Sequence, residues 1–420
     1  MLDINFIRQN PEKVKEGTQK KGYDPKIVDR VLKVDETRRQ LIGEIEKYRQ
    51  ERNRLAHGEQ ANFAKATLAK GKKIKEMLRR LEPDLKAVEE ELKNLMLQIP
   101  IPPAENVPPG KTEDDNKEVR KWGRLPKFNF KPKDYISLME DLDLIDLERG
   151  AKIGGFRQYM IKNEAVILEQ SLLRWSLDVL AKKGFALFRP ICMVKESAMM
   201  GTGMFPFGKD DSYSVDKDLF LSGTTEVPLM AYHAGEVLEE EELPKKYAGI
   251  SVAFRKEVGS YGKDVKGIFR VHEFWQTEQV IICKNDEKES LHWWEKLIKN
   301  SEEMIQALEI PYRVVLVCTG DLAAGQVGRY DIEAWVPSQK KYRETHSDAY
   351  LFDFQTRRLN IRYRAKDGMT KFAHSLNNTG IAVPRILISL IENYQQKDGS
   401  VLVPKVLQKY TEFKKISPKK

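Results

Sequence analysis

Two long segments near the start of the chain carry apolar residues at spacings of three and four. The first contains Val31 and Ile45, and the second contains Ile74 and Leu78. In each segment the pattern repeats every seven residues, which predicts a narrow apolar seam along an α-helix. Two such helices joined by the short segment 58–63 predict an antiparallel coiled-coil arm.

The half of this arm nearest its tip is rich in basic residues. A solvated coiled coil normally mixes charges of both signs evenly, so the excess suits the phosphates of a structured RNA. An ordinary solvated or partner-binding coiled coil is the alternative. The candidate RNA-binding residues are Arg49, Arg52, Arg54, Lys72, Lys73 and Arg79.

Prolines mark two further points along the chain. Pro83 interrupts the second helical pattern and either bends the helix or marks its restart. The dense prolines after residue 99 favour extended chain and end the helix. We therefore expect an N-terminal helical domain over 1–100, a proline-rich linker over 101–125 and a larger domain over 126–420.

Beyond residue 125, short β-rich runs alternate with amphipathic segments. They are not regularly interleaved with crossover helices, so the pattern favours an α+β fold in which helices flank an antiparallel sheet. Pro384 is tolerable only in the first turn of a helix. The predicted strands are 185–190, 314–318, 329–337 and 358–364, and the predicted helices are 164–183 and 381–395.

Composition adds modest limits. Hydrophobic residues make up 41% of the 420 and charged residues 32%, which is typical of a globular protein, and the formal net charge of +9 suits either a polyanionic partner or simple solubility. No apolar run approaches the ~18–20 residues needed to span a bilayer, and the first residues lack the order of a signal peptide. Three widely separated cysteines fit a reducing cytoplasm and form no zinc set.

The most informative stretch is 253–278, which reads as two strands around a polar, glycine-containing loop. Residues two apart in a strand share a face, so Arg255 and Glu257 should point one way and Phe274 and Glu278 should share a face on the second strand. Arginine binds phosphate or carboxylate, a carboxylate receives an ammonium, and phenylalanine can stack on a base. A nucleotide bound beside an amino acid is the simplest interpretation, and the absence of the P-loop and Rossmann glycine patterns excludes those two modes of binding.

These features resemble the three signature motifs of class II aminoacyl-tRNA synthetases. Pro190 matches the first motif, the Arg255 and Glu257 strand pair the second, and 380–385 the third. Within the class, the chain is similar to the seryl-tRNA synthetase family, including the proline-rich linker and the basic arm. The segments that carry the resemblance are 224–229, 254–260, 270–274, 330–339, 353–358 and 374–379.

The resemblance implies roles for individual residues. Arg255 would hold the α-phosphate of ATP and the serine carboxylate, and Arg385 would cover the adenine and reach the γ-phosphate. The implied catalytic residues are Arg255, Arg385 and Glu344, and Mg²⁺ would be held by Glu344 and Ser347. The implied ATP-binding set is Arg255, Lys256, Glu257, Val271, Phe274, Glu344, Thr345, His346, Ser347 and Arg385. The implied serine-binding set is Thr224, Thr225, Glu226, Glu278, Asn377 and Thr379.

The resemblance also implies the reaction and its partners. Serine would be activated with ATP to seryl-adenylate and then transferred to the 3′ end of tRNA(Ser), with tRNA(Sec) as a candidate second partner. The family implies a homodimer in the cytoplasm and no membrane association. Adenylate formation needs orientation and charge neutralisation rather than a nucleophilic side chain, which agrees with the lack of a Ser-His-Asp or Cys-His arrangement.

Several alternatives stay open at this point. A synthetase-like ligase that loads an amino acid onto a carrier protein lacks the arm, and a non-catalytic relative should have lost some of the charged site residues. His272 is expected to be structural. Asp348 departs from the commoner family pattern and is a metal ligand, a solvent-facing loop residue or a sign of altered metal preference. Thr379 stands where serine is common.

Overall fold

The computed structural model describes residues 1–57, 65–258, 264 and 266–418. The segment 58–63, predicted to join the arm helices, and residues 259–263 and 265 of the polar loop lie outside the described residues. The chain divides into two compact units, Met1–Pro102, here called the arm unit, and Pro103–Lys420, here called the sheet unit. This division lies two residues beyond the predicted end of the N-terminal domain.

The arm unit consists of helices. Two of them precede the predicted arm and were missed, because each is short and its apolar positions are few. Asp3 caps the first by accepting a hydrogen bond from the backbone N–H of Asn5, and Pro11 occupies the first turn of the second. The helices are α1 (Ile4–Gln9), α2 (Pro11–Lys20), α3 (Lys26–His57) and α4 (Lys65–Met96).

Helices α3 and α4 run antiparallel. A residue late in α3 pairs with one early in α4, since Lys70 Nζ lies 2.6 Å from Glu51 Oε1. A residue in the first half of α3 pairs with one late in α4, since Arg38 Nε lies 3.3 Å from Glu89 Oε1. The predicted seam is buried between them and includes Ile45, Ile74, Leu78 and Leu81. Helix α4 continues without a break through Pro83, so the alternative of a helix restart is wrong.

The sheet unit carries the remaining elements. Its helices are α5 (Tyr135–Asp141), α6 (Leu147–Gly154), α7 (Glu164–Lys182), α8 (Glu196–Thr202), α9 (Glu226–Ala231), α10 (Glu287–Ala307), α11 (Phe354–Leu359), α12 (Val383–Asn393) and α13 (Gln408–Thr411). Its strands are β1 (Lys117–Trp122), β2 (Ile145–Asp146), β3 (Met160–Ile161), β4 (Ala186–Phe188), β5 (Met193–Lys195), β6 (Ser214–Asp216), β7 (Leu219–Leu221), β8 (Val237–Glu239), β9 (Lys245–Phe254), β10 (Glu273–Cys283), β11 (Tyr312–Leu316), β12 (Gly328–Val336), β13 (Lys341–Phe352), β14 (Arg362–Arg364), β15 (Thr370–Phe372), β16 (His374–Ala382), β17 (Val401–Leu402) and β18 (Lys415–Ile416).

An eight-stranded sheet dominates this unit, in the order β1-β11-β12-β13-β16-β10-β9-β4. Its neighbours pair antiparallel except β4 and β9, which are parallel. The predicted antiparallel sheet is therefore confirmed. Strand β1 lies within 101–125, so part of the predicted linker is an edge strand of the sheet; its largely exposed side chains give it little apolar signal.

Two predicted elements begin inside a neighbouring element of the other type. The predicted strand 358–364 begins instead as the end of α11, which stops at Asn360 in a left-handed conformation (φ 55°). The helix predicted over 381–395 begins at Val383, with Pro384 in its first turn as expected, because Ile381 and Ala382 complete β16.

The two faces of the large sheet have different surroundings. Thr277 Oγ1 lies 3.0 Å from Ser176 Oγ on α7, and Ser301 on α10 donates a hydrogen bond to the carbonyl of Thr379. These helices therefore cover one face. Successive strand residues alternate, so Gln276 faces the other side, where a cavity lies.

Among the described residues, the helices include none that is both long enough and apolar enough to cross a bilayer.

The arm seam yields a direct test. Leu78→Ala should remove buried contacts between α3 and α4 and destabilise the helix pair by about 2–5 kcal/mol. Leu68→Ala is the matched control on the same helix, because Leu68 is 53% exposed whereas Leu78 is 5% exposed. Hydrogen exchange of α3 and α4 peptides measures the effect, and equal exchange in both variants would contradict the seam.

Candidate active site

A cavity of about 350 Å³ opens on the face of the large sheet opposite α7 and α10. It is lined mainly by charged and polar side chains, which come from β10, β12, β13, β16, the start of α12 and the segments that flank β9 and β10. The lining residues are Glu113, Arg255, Glu257, Phe269, Arg270, Val271, Phe274, Gln276, Asp321, Arg329, Glu344, Thr345, Ser347, Thr379, Ala382, Pro384 and Arg385.

Arg255 is held in place from several sides. Strand β9 ends at Phe254, but the pairing continues: the N–H of Arg255 donates to the carbonyl of His272 (2.9 Å), and Nδ1 of His272 donates to the carbonyl of Arg255 (2.9 Å). Arg255 Nε donates to the carbonyl of Gly223 (2.9 Å), and its guanidinium lies 5.2 Å from the ring centre of Phe274. His272 thus has the structural role predicted for it.

Glu257 reaches the cavity by a different route from the one predicted. It lies beyond the end of β9, in the left-handed region (φ 54°), where a non-glycine residue is strained. Its carboxylate lies 3.4 Å from the guanidinium of Arg270, which precedes β10. The two residues converge because both flank strand ends, so strand alternation alone does not account for their placement.

Arg385 lies in the first turn of α12. Its Nη1 is 2.9 Å from Glu344 Oε1, and its guanidinium carbon is 4.7 Å from the ring centre of Phe269. Arg343 also contacts this ring, at 3.8 Å. Phe269 was not predicted, since an apolar residue beside a loop carries no distinctive sequence signal.

A further ion-pair cluster lies beside Glu344. Arg329 Nη2 donates to Asp321 Oδ2 (2.9 Å) and to Asp331 Oδ2 (3.0 Å). Burial raises the pKa of Asp331 to about 7, with Arg329 opposing the shift. Burial also favours protonated Glu344, but the guanidiniums of Arg385, Arg329 and Arg255 hold its pKa below the usual value. Strand alternation in 329–333 could have revealed Arg329 and Asp331.

Two buried carboxyl groups lie deeper, behind Arg255. Glu226 and Glu278 are each 5% exposed. Burial raises the pKa of Glu226, while hydrogen bonds from Gln355 and Asn377 and the charge of Arg255 lower it. Burial and the neighbouring Glu226 raise the pKa of Glu278 well above its ordinary value, and Arg255 opposes this. The pair is therefore matched to a cationic ligand group.

Threonine hydroxyls connect this carboxyl pair to the cavity. Gln276, which lines the cavity, donates to Thr224 Oγ1 (3.3 Å) and Thr225 Oγ1 (3.2 Å), and Thr224 Oγ1 accepts the N–H of Glu226. The start of α9 lies close to β9: a Cβ on Gly249 would come within 2.6 Å of Thr225 Cγ2. Glycine at that position therefore allows the helix to approach.

The predicted site residues divide into three groups. Most of the ATP set line the cavity; Lys256 does not, and its ammonium lies 5.8 Å from the ring centre of Tyr213. His346 is buried behind the lining, its Nδ1 2.9 Å from Thr345 Oγ1, and burial lowers its pKa to about 4. Of the predicted serine set, Thr379 lines the cavity and the others form or adjoin the buried layer. The six predicted RNA-binding residues are exposed on the arm unit.

The donors for a metal ion are few but suitable for magnesium. No cluster of three or more metal-ligating side chains occurs in the described part of the chain. Mg²⁺ needs only one or two carboxylates when phosphates complete its shell. Glu344 and Ser347 line the cavity together, and Oδ1 of nearby Asp331 has no hydrogen-bond partner among the described residues. Asp348 follows Ser347 and therefore faces the opposite side of the sheet, which does not fit a metal ligand.

Comparison with known proteins agrees with this geometry. Residues 1–103 match the family model for the seryl-tRNA synthetase N-terminal domain, and residues 210–394 match that for the class II tRNA synthetase core domain (G, H, P, S and T). A serine–tRNA ligase of Deinococcus radiodurans is 45% identical over 414 residues, covering 98% of this chain and 97% of the relative.

Solved structures extend the likeness to the whole chain. Seryl-tRNA synthetase from Pyrococcus horikoshii complexed with ATP is 41% identical, with a TM-score of 0.94 and full coverage of both chains. The cytoplasmic serine–tRNA ligase of Naegleria fowleri in complex with AMP is 33% identical, with a TM-score of 0.90, covering 100% of this chain and 99% of that one. Sequence, fold and site therefore agree that this chain belongs to the seryl-tRNA synthetase family.

Proposed function

We propose that this chain is a serine–tRNA ligase that activates L-serine with ATP and transfers it to the 3′ end of tRNA(Ser). The observation that carries the proposal is the convergence of Arg255, Arg385 and Glu344 in one cavity, directly before the buried Glu226 and Glu278. Phosphates suit the guanidiniums, and the ammonium of an amino acid suits the carboxyl pair.

In the proposed complex, ATP binds in one orientation. Adenine lies between Phe274 and the guanidinium of Arg385, with Glu257 receiving its amino group and the backbone at Val271 assisting. The α-phosphate then lies at Arg255. A further guanidinium, that of Arg329, lines the same cavity, where it is paired with Asp321 and Asp331.

The reaction follows from this placement. A serine carboxylate oxygen attacks the α-phosphorus, the bond to the β-phosphate oxygen breaks, and pyrophosphate leaves. Arg255 neutralises the negative charge that develops there, so orientation and electrostatics supply the acceleration. The terminal ribose hydroxyl of the tRNA then attacks the seryl carbonyl, and AMP leaves.

Serine is recognised by the buried layer. Glu226 and Glu278 receive the ammonium and hydroxyl groups, with Thr224, Thr225, Asn377 and Thr379 around them. Alanine would leave a buried acceptor unpaired, at about 1–3 kcal/mol, and threonine must be excluded by crowding one methyl group, worth about 1–3 kcal/mol. The additional methyl of Thr379 tightens the pocket on that side.

Magnesium belongs to the same proposal. Glu344 and Ser347 would hold the ion against the phosphates. When bound, it supplies further neutralisation of phosphate charge. Glu344 is suited to this because three guanidiniums keep it ionised.

The arm and a second copy of the chain complete the proposed assembly. Basic residues of α3 and α4 would bind the long variable branch of the tRNA, and tRNA(Sec) is included as a second substrate. A groove of about 800 Å³ is lined by Ile191, Met193 and Tyr232, which are 68%, 47% and 59% exposed. Such a patch suits a homodimer contact. We place the enzyme in the cytoplasm, in keeping with its three free cysteines.

A ligase that loads an amino acid onto a carrier protein is the main rival. Such relatives lack the arm, whereas α3 and α4 each have 32 residues here. Exchange of pyrophosphate into ATP without charging of tRNA would favour that rival.

The first prediction concerns Arg255. Arg255→Ala should lower kcat/KM for serine-dependent pyrophosphate exchange by about 10²–10³-fold, because the developing charge loses its donor. Arg364→Ala is the control, since this arginine is 63% exposed in the same unit, and it should leave exchange unchanged. The proposed substrate would be contradicted if the wild type exchanged with threonine, alanine or glycine instead of serine. It would also be contradicted if no amino acid supported exchange.

The second prediction concerns Glu278. Glu278→Gln should lower kcat/KM for serine by about 10–100-fold through loss of a charged acceptor. It should also raise the Tm at alkaline pH. The ordinary pKa of a glutamate, about 4.3, applies to the unfolded chain, whereas the folded-state pKa of Glu278 is raised above it. The wild type therefore loses stability as pH rises from about 4.3 through the folded-state pKa of Glu278. Glutamine does not ionise and removes this loss.

The Tm difference between Glu278→Gln and wild type should therefore shrink as pH falls. Glu105→Gln, at an exposed position of the same unit, serves as the control and should show no such trend. A Glu278→Gln Tm difference that grows towards acid pH would contradict the burial of this carboxyl.

The third prediction separates the arm from the chemistry. Reversing Arg52, Arg54, Lys72 and Lys73 to glutamate should raise the KM for tRNA(Ser) and flatten its dependence on salt, because phosphate contacts are lost. Serine-dependent exchange should be unchanged. The control is the double variant Lys86→Glu with Lys93→Glu. Both lysines lie on α4, as Lys72 and Lys73 do, but farther from the tip of the arm, so this variant should affect charging much less.

A further inference from the structure

A buried amide that was not among the predicted site residues contacts Glu226, one of the two buried carboxyl groups. Gln355, on α11, is 1% exposed. Its Nε2 donates to Glu226 Oε1 (2.6 Å) and to the carbonyl of Thr202 (3.0 Å), and its Oε1 accepts from Ser375 Oγ (2.9 Å). Three separate elements, α8, α9 and β16, are thus joined by one side chain.

These contacts fix the orientation of the amide. Both N–H groups of Gln355 are used, and its carbonyl oxygen accepts from a hydroxyl. A flipped amide would direct its oxygen at two other acceptors, the Glu226 carboxylate and the Thr202 carbonyl. The observed arrangement is therefore the only favourable one of the two.

Glu226 depends on such donors. It lies in the same buried layer as Glu278, whose charge would repel it. Burial raises the pKa of Glu226, and the hydrogen bonds from Gln355 and Asn377 lower it. Asn377 belongs to the predicted serine pocket, whereas Gln355 is buried, does not line the cavity and donates to Oε1 of Glu226 alone.

We propose that Gln355 is a positioning residue of the serine pocket, which holds one oxygen of Glu226 so that the other oxygen faces the amino acid. The inference rests on the proposed function. Gln355 does not itself touch the substrate in this account, and its effect should be confined to the amino-acid side of the reaction. ATP, which lies on the other side of Arg255, should not be affected.

The test compares two buried glutamines. Gln355→Met keeps the length of the side chain and removes the donors. It should raise the KM for serine in pyrophosphate exchange by about 10-fold or more, because a hydrogen bond to a charged acceptor is lost. The KM for ATP should stay unchanged. Gln395→Met is the matched control: Gln395 is 2% exposed, hydrogen-bonds Lys133 and Glu392, and is not in contact with the site.

A pH profile distinguishes positioning from packing. Without the Gln355 donor, the pKa of Glu226 should rise further, so the acid limb of kcat/KM for serine should move to higher pH. The Gln395→Met profile should match that of the wild type. Equal increases in the KM for ATP and for serine, or a lower Tm with an unchanged serine KM and acid limb, would overturn the proposal.

A second variant and the wild-type activity separate a failure of this inference from a failure of the proposed function. If Gln355→Met does not fold, Ser375→Ala replaces it: removing the hydroxyl that orients the amide should raise the serine KM by about 2–10-fold, and an unchanged KM would overturn the inference. Absence of serine-dependent exchange in the wild type would instead refute the proposed function, independently of Gln355.

Discussion

The site depends on carboxylates that are held against guanidiniums and amides. Glu344 stays ionised because Arg385, Arg329 and Arg255 surround it, whereas burial disfavours the charged forms of Glu226 and Glu278. Desolvating such groups is unfavourable unless opposite charges or donors compensate. Without ligand the compensation is incomplete in the inner layer. A bound ammonium would complete it there, and phosphates would complete it at the guanidiniums.

The sheet keeps these opposing groups in register. Neighbouring strands β13, β16 and β10 supply Ser347, Thr379 and Gln276 to the cavity, and the alternate positions face the helices. On that side Ser301 holds the carbonyl of Thr379, and Thr277 meets Ser176. Side chains fixed in this way need little rearrangement on binding, which favours catalysis by orientation.

Much of the site could be predicted from the sequence because its charged residues lie in short segments with recognisable spacing. Arg255 and Arg385 line one cavity as expected. The missed residues differ in kind. Phe269 is an ordinary apolar residue by sequence, and Gln355 lies 129 residues from the carboxylate it contacts. Only tertiary structure brings such groups together, and the same limit explains why the predicted strand 358–364 and the predicted helix 381–395 begin too early.

Asp348 departs from the commoner family pattern, and its position on β13 decides between the roles considered for it. As the residue after Ser347 it lies away from the cavity and is fully buried, so a metal ligand and a solvent-facing loop residue are both excluded. Burial raises its pKa well above the usual value, opposed by the side chain of Asn378. Asn378 lies between Asn377 and Thr379 on β16. Asp348 therefore contacts the side of β16 that faces away from the cavity, behind the proposed serine pocket. A neutral carboxyl at this position does not change the charge balance of the cavity.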